Sequence, residues 1–135
     1  MPHLVILYSK NVEDGTDMTA LCRTLADTMI ALRDEAGAPV FPVAGTRVLA
    51  YPAAHSAVAD TRHDCGFMYF NLRMARGRSD AVKREAGEKL VAAARAHLAP
   101  LLASRPVGLT LQVDEGTEAF DGKFGNLHAL YAPKP

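Results

Sequence analysis

Apolar and polar positions divide the first part of the chain into a strand followed by a helix. Residues 4–8 form a short apolar run, closed by turn-forming residues 9–11. This pattern predicts a strand that is buried on both faces near the middle of a sheet. Apolar residues then recur every three or four positions over residues 18–32, as on one face of a helix. Asp17 is the expected N-cap of this helix and Gly37 its stop.

The rest of the pattern predicts three further strands and a second helix. A short strand at about residues 46–51 is followed by a longer strand at about residues 63–74, which has one wholly apolar face. A helix is predicted at about residues 80–103, with Ser79 as its N-cap. Residues 107–114 alternate as a last strand whose odd-numbered residues face inward. The buried stripe of the second helix is expected at Val82, Ala86, Leu90, Ala94, His97 and Leu101.

The order strand, helix, strand therefore occurs twice along the chain. This repetition predicts an α/β (α+β) fold built from a duplicated β-α-β repeat. Right-handed crossovers would place both helices on one face of a four-stranded sheet. The other face would carry Phe67 and Tyr69, together with either Val5 and Leu7 or Leu4 and Ile6. An apolar sheet face without helices favours burial by another copy of the chain.

Composition narrows the class of protein. The 135 residues predict one domain over residues 1–135, and a 49% hydrophobic content argues against disorder. Fifteen basic and fifteen acidic residues balance, so we expect neither nucleic-acid nor membrane binding. Cys22 and Cys65 have no metal-ligand spacing and are interpreted as reduced thiols in a cytoplasmic protein. The tail, residues 116–135, suggests a turn or hairpin and then an extended segment that could reach a neighbouring subunit.

Pro2 has a structural and a functional interpretation. Proline is accepted at the first residue of a strand, where its missing N–H breaks no hydrogen bond of the sheet. However, Met1 precedes a small residue and is expected to be removed, which would give Pro2 a free secondary amine. Burial and nearby cations lower the pKa of an amine, so this group would be a general base at neutral pH.

Among the other polar residues, Arg47 and Arg78 are the candidates for binding a carboxylate. Arg47 opens the short strand, and Arg78 lies just before the second helix, where a helix amino terminus also attracts anions. Arg73 and Arg76 are interpreted as solvated surface charge. The histidines have no metal-ligand spacing, and neither a phosphate-binding loop nor a dinucleotide motif is present, so we expect no metal and no cofactor.

The order and spacing of several short motifs resemble the 5-carboxymethyl-2-hydroxymuconate isomerase family of the tautomerase superfamily. The resemblance covers essentially the whole chain. Its motifs are Pro2-His3, Phe41-Pro42-Val43-Ala44-Gly45-Thr46-Arg47, His63-Asp64-Cys65-Gly66-Phe67, Gly77-Arg78-Ser79 and Asn126-Leu127-His128-Ala129-Leu130.

This resemblance implies a β-α-β repeat fold and a homotrimer with active sites near the subunit boundaries. It implies that Pro2 is the catalytic base, that Arg47 and Arg78 bind the anionic substrate, and that neither metal nor organic cofactor takes part. Leu49 stands where the family pattern has a further arginine, and the chain has no tryptophan. These differences leave the exact substrate open.

The expected reaction is an enol–keto tautomerisation of a dienol polycarboxylate, in which Pro2 moves a proton from the 2-hydroxyl to a distant carbon. Two alternatives remain open. The chain could be a related tautomerase, or a decarboxylase-like enzyme, that acts on another 2-oxo acid. It could also be a non-catalytic oligomer that binds a small carboxylate, and a retained Met1 would favour this last interpretation.

Overall fold

A four-stranded mixed sheet forms the centre of the molecule in a computed structural model, which describes residues 1–134. The strands and main helices are β1 (His3–Ser9), α1 (Met18–Ala31), β2 (Arg47–Ala53), β3 (Gly66–Met74), α2 (Asp80–Ser104) and β4 (Val107–Glu115), with short 3-10 helices at Lys10–Gly15, Val43–Gly45 and His128–Tyr131. The strand order is β2-β1-β3-β4. β1 is parallel to β2, β3 is parallel to β4, and the central pair β1 and β3 is antiparallel. The duplicated β-α-β order and the central position of β1 are therefore confirmed.

The first helix begins where its capping residue predicts but ends early. The Asp17 side chain accepts a hydrogen bond from the Ala20 backbone N–H at 3.0 Å, so the predicted N-cap is correct. The helix ends at Ala31 rather than at Gly37. Gly37, with φ of 79°, instead belongs to a following turn in which the Asp34 side chain accepts hydrogen bonds from backbone N–H groups. The prediction was wrong because this local turn competes with the helix for the same backbone groups.

The second helix confirms its predicted N-cap and corrects one residue of its buried stripe. Ser79 Oγ accepts a hydrogen bond from the Val82 backbone N–H at 3.2 Å. Leu98 is fully buried, whereas His97 is only half-buried at the edge of the stripe, with Nε2 3.1 Å from the Asp17 carbonyl oxygen. The helix buries Val82, Ala86, Leu90, Ala94, Leu98 and Leu101. Leu98 therefore takes the place predicted for His97, and the other five predicted positions of the stripe are buried.

Both helices pack on the same face of the sheet, as predicted. The core joins their buried faces to alternate residues of the two central strands. From the sheet, it contains Leu4, Ile6 and Tyr8 of β1 and Met68, Phe70, Leu72 and Met74 of β3. The amino-terminal end of β1 is therefore supported from one side by a continuous apolar core.

The opposite face of the sheet has no helix, and we call it the helix-free face. Its apolar side chains are exposed in the single chain: Leu7, Leu49, Tyr51 and Phe67 are 48%, 44%, 50% and 38% accessible. The prediction that β1 is buried on both faces was wrong for this reason. Leu109 of the edge strand β4 lies on the helix side, as predicted, where the register pairs it with the buried Met68, but it remains 38% accessible because an edge strand lies at the margin of the core.

Candidate active site at the amino-terminal end of the sheet

Three basic side chains lie in one row across the helix-free face. The strand register pairs His3 of β1 with Arg47 of β2 on one side and with Arg73 of β3 on the other. Directly paired residues of neighbouring strands point to the same face of a sheet, and adjacent strands are about 4.8 Å apart. The row therefore concentrates positive charge beside Pro2, the residue that precedes His3.

The tail closes this row into a cavity of about 540 Å³, which we call the amino-terminal cavity. Its floor contains Met1, His3, Arg47 and Arg73, and tail residues between Glu118 and His128 complete its wall. Over residues 116–134 the tail has no strand, so the suggested hairpin is wrong. The suggested extended segment is also wrong, because His128–Tyr131 is a 3-10 helix. The tail instead crosses its own chain and lies against residues 39–44.

Pro2 is buried at the edge of this cavity, and the Met1 side chain extends into the cavity. The Met1 sulphur lies 3.7 Å from Arg47 Nη1 and 3.2 Å from His128 Nε2. While Met1 is attached, the Pro2 nitrogen is an amide nitrogen and has no basic lone pair. The Met1 side chain therefore occupies the space between the Arg47 guanidinium and the His128 ring.

The environment of the amino terminus disfavours positive charge. Burial and the nearby Lys123 ammonium lower the pKa of the Met1 amine, and Arg78 and Arg47 lower it further, while Asp121 opposes them. Burial also lowers the pKa of His3, with additional contributions from Arg47, the amino terminus and Arg73. An amine at this place is consequently a better candidate for a neutral base than an exposed one.

Arg47 differs from the other cations of the cavity wall in having no acidic partner. Arg73 forms a salt bridge with Glu118 at 3.3 Å, and Lys123 forms one with Asp121 at 2.7 Å. Among residues 1–134, no carboxylate lies within salt-bridge distance of Arg47. A half-buried guanidinium without an acidic partner is suited to bind a carboxylate from a ligand.

Arg78 lies outside the lining of the cavity and is bonded to the backbone. Its Nη2 and Nε donate to the Val40 carbonyl at 2.9 and 3.3 Å, and its Nη1 donates to the Ala75 carbonyl at 3.0 Å. The guanidinium also lies 5.0 Å from the centre of the Phe41 ring. Arg78 thus links the segment before β2 to the turn after β3. Carbonyl groups do not neutralise its charge, which still contributes to lowering the pKa of the amino terminus.

Arg73 is the site residue that sequence reasoning missed. It was interpreted as solvated charge, like Arg76, yet the register places it beside His3 and in the cavity wall. One signal was available in the sequence: Asn71 and Arg73 form the polar end of the same strand face that carries Phe67 and Tyr69. That face is the helix-free one, so its polar end was a candidate position for a site.

The other surface features of the described residues offer no comparable site. A groove of about 1120 Å³ follows the exposed sides of α2 and β4, where Lys83 is already paired with Asp80 and Glu115. Within the described residues, no three histidine, cysteine or acidic side chains come together as metal ligands. None of the described helices is long and apolar enough to span a bilayer. The amino-terminal cavity is therefore the best candidate for an active site.

Comparison with known proteins identifies the family of this chain. A family model described as 5-carboxymethyl-2-hydroxymuconate isomerase matches residues 2–131. The chain belongs to this family. The family's match begins at Pro2 and extends through the tail that closes the cavity, so it includes every element of the site described above.

Individual family members are similar over almost their full lengths. The 5-carboxymethyl-2-hydroxymuconate Delta-isomerase of Escherichia coli is 29% identical over 131 residues, which are 97% of this chain and 99% of the relative. A crystal structure of a 5-carboxymethyl-2-hydroxymuconate delta-isomerase is 58% identical, with a TM-score of 0.96 and coverage of 100% and 95%. A family member from Deinococcus radiodurans R1 is 32% identical, with a TM-score of 0.85 and coverage of 98% and 95%. The predicted fold class is confirmed by the strand order and by the agreement of the whole chain with these two solved structures.

Proposed function

We propose that this protein catalyses the enol–keto tautomerisation of 5-carboxymethyl-2-hydroxymuconate or a similar dienol polycarboxylate, with Pro2 as the general base. The observation that carries the proposal is the amino-terminal cavity, which brings Arg47, His3 and Arg73 together beside Pro2. Membership of the isomerase family supports the class of substrate. The charge of the cavity floor agrees with a substrate that has several carboxylates.

In the proposed reaction, the neutral Pro2 amine removes the proton from the 2-hydroxyl group of the dienol. The carbon–oxygen bond becomes a carbonyl while the two conjugated double bonds shift, and Pro2 returns the same proton to a distant carbon. The product is an unsaturated 2-oxo acid, so no atom or electron is gained or lost overall. Arg47 binds a carboxylate and stabilises the negative charge that develops on the 2-oxygen. Arg78 acts through its charge, which helps to keep Pro2 neutral.

Removal of Met1 is part of the proposal. It converts the Pro2 amide nitrogen into a secondary amine and clears the position of the Met1 sulphur between Arg47 and His128. A substrate oxygen placed there would meet a guanidinium and an imidazole nitrogen. The same processing step therefore creates the base and opens the binding site for the anion.

We further propose that the chain works as a homotrimer in the cytoplasm. The apolar residues of the helix-free face support the trimer, because exposed apolar surface of this kind is characteristic of subunit interfaces. Two free thiols, at Cys22 and Cys65, agree with a reducing compartment. Assembly would bury the apolar residues of the helix-free face that adjoin the cavity. Analytical ultracentrifugation would measure the number of subunits.

The test follows ketonisation of a 2-hydroxymuconate-type dienol by ultraviolet absorbance across pH, with an intact mass measured on the same sample. We expect Met1 to be absent and kcat/KM to rise with pH through a single ionisation. A base acts in its unprotonated form, so activity is gained above the pKa of Pro2. Because burial and nearby cations lower the pKa of the Met1 amine, we expect the same surroundings to place the Pro2 midpoint below the usual range for amino termini of about 7.7–8.0.

The same experiment separates the alternatives. Turnover of another 2-oxo acid in preference to the muconate-type dienol would favour a related tautomerase. A processed protein that binds the dienol without converting it would be a carboxylate-binding protein, and the isomerase proposal would be wrong.

A further inference from the structure

We propose that Arg73 is a specificity-determining residue that binds the substrate carboxylate farthest from the 2-hydroxyl group. This inference rests on the proposed function and extends it from Pro2 and Arg47 to the opposite side of the cavity. Arg73 and Arg47 flank His3 from two different strands, so they lie on opposite sides of the strand that begins beside Pro2. With strands spaced by about 4.8 Å, their backbones are separated by roughly 10 Å. A dienol lying across Pro2 can therefore meet one arginine at each end.

Among residues 1–134, Arg73 has one acidic partner, Glu118, and a substrate carboxylate could replace it. Glu118, on the tail, accepts a hydrogen bond from Arg73 Nη2 at 3.3 Å, and both side chains are almost half exposed. Solvent screens such a pair, so its contribution is small. Its carboxylate nevertheless marks a position in the cavity wall where Arg73 contacts a carboxylate oxygen. A substrate carboxylate can take this position when the tail residue withdraws.

The neighbouring acidic residue on β4 does not neutralise Arg73. The register pairs Arg73 with Asp114. However, the Asp114 carboxylate accepts a hydrogen bond from Asn71 Nδ2 at 2.7 Å and forms no salt bridge with Arg73. On the other side, burial and the nearby cations lower the pKa of His3, which disfavours a positive charge on the ring beside the guanidinium. Neither of these two neighbours forms an ion pair with Arg73, whose guanidinium lines the cavity.

Arg76 provides a matched control within the same segment. It has the same side chain, is exposed like Arg73 and lies three residues further along the chain, but it is absent from the cavity lining. A general effect of net charge on substrate attraction would therefore be similar in Arg73→Ala and Arg76→Ala. A specific contact would be lost only in the first variant.

The experiment compares both alanine variants and Arg73→Lys with wild type on two substrates. One is the tricarboxylate dienol, and the other is 2-hydroxypenta-2,4-dienoate, which lacks the distant carboxylates. Arg73→Ala should lower kcat/KM for the tricarboxylate by about 10- to 100-fold, mainly through KM, as for loss of a hydrogen bond between charged groups. Its kcat/KM for the monocarboxylate should stay within about twofold of wild type, and Arg73→Lys should recover part of the loss.

Calorimetric titration with a saturated, unreactive tricarboxylate measures the same contact without turnover. Arg73→Ala should weaken this binding by about 10- to 100-fold, and Arg76→Ala should leave it unchanged. Unchanged binding in Arg73→Ala, or equal losses with both substrates, would overturn the assignment. An inert wild type that still binds the tricarboxylate through Arg73 would refute the proposed reaction but not this contact. Thermal unfolding of each variant verifies that the fold is intact.

Discussion

Replacement of Pro2 by alanine is expected to lower kcat by about 10²–10⁴-fold, the contribution of a positioned acid–base group. The variant keeps an amino-terminal amine but loses the ring that fixes φ at the start of β1. The Pro2 ring is buried, whereas a terminal alanine would be less constrained. The amine would then lie less often in line with the 2-hydroxyl group. The ketonisation assay, on samples with a verified intact mass, measures the loss.

A matched control keeps residue Pro2 but leaves its nitrogen as an amide instead of an amine. Protein made while methionine aminopeptidase is inhibited should retain Met1, and we expect it to be as inactive as the alanine variant or more so. Its Pro2 nitrogen is an amide nitrogen, and its Met1 side chain fills the space beside Arg47 and His128. If protein that retains Met1 were as active as processed protein, Pro2 could not be the base.

Replacement of Arg47 by glutamine should lower kcat/KM by about 10²–10³-fold, the usual effect of removing one preorganised stabilising donor. Arg47 has no acidic partner among the described residues, so the variant leaves no buried carboxylate unpaired. Loss of the cation should also raise the pKa of the Pro2 amine. The rising limb of the pH profile should therefore move to higher pH, and part of the lost activity should return there.

Arg78→Gln separates electrostatic from structural effects of an arginine. It removes hydrogen bonds to the carbonyl groups of Val40 and Ala75, so it should lower the unfolding temperature as well as the activity. Arg47→Gln should leave the unfolding temperature nearly unchanged, because among residues 1–134 the Arg47 side chain makes no hydrogen bond other than the one to the Met1 sulphur. Wild-type activity in Arg47→Gln, at every pH, would exclude Arg47 from substrate binding.

The N-caps of both helices were predictable from the sequence, whereas the end of α1 was not. Asp17 and Ser79 were recognised as N-caps because a cap depends on residues only three positions away. The stop of α1 was misplaced because Gly37 is a valid helix terminator, but a turn through Asp34 ends the helix first. Competition of this kind depends on the path that the chain takes after the helix, which a local pattern does not contain.

The candidate site was only partly predictable for the same reason. Pro2 and Arg47 were identified through motifs, and the structure brings Arg47 into the cavity with Met1. Arg73 was grouped with Arg76 as solvated charge, although Arg73 belongs to the polar end of the strand face that carries Phe67 and Tyr69 and Arg76 follows the strand. Only the antiparallel register of β1 and β3 places Arg73 beside His3 and leaves Arg76 outside.

The sequence by itself determined the order of elements, the duplicated β-α-β pattern and the candidates Pro2 and Arg47, because periodicity, capping and motifs act over short distances along the chain. Tertiary structure alone decided which arginines share a cavity, which residues of β1 lie on the helix-free face and where the tail lies. Those features arise when residues distant in sequence pair across strands. Arg47 and Arg73 are separated by 26 positions in the sequence (73 minus 47), yet the strand register pairs both of them with His3.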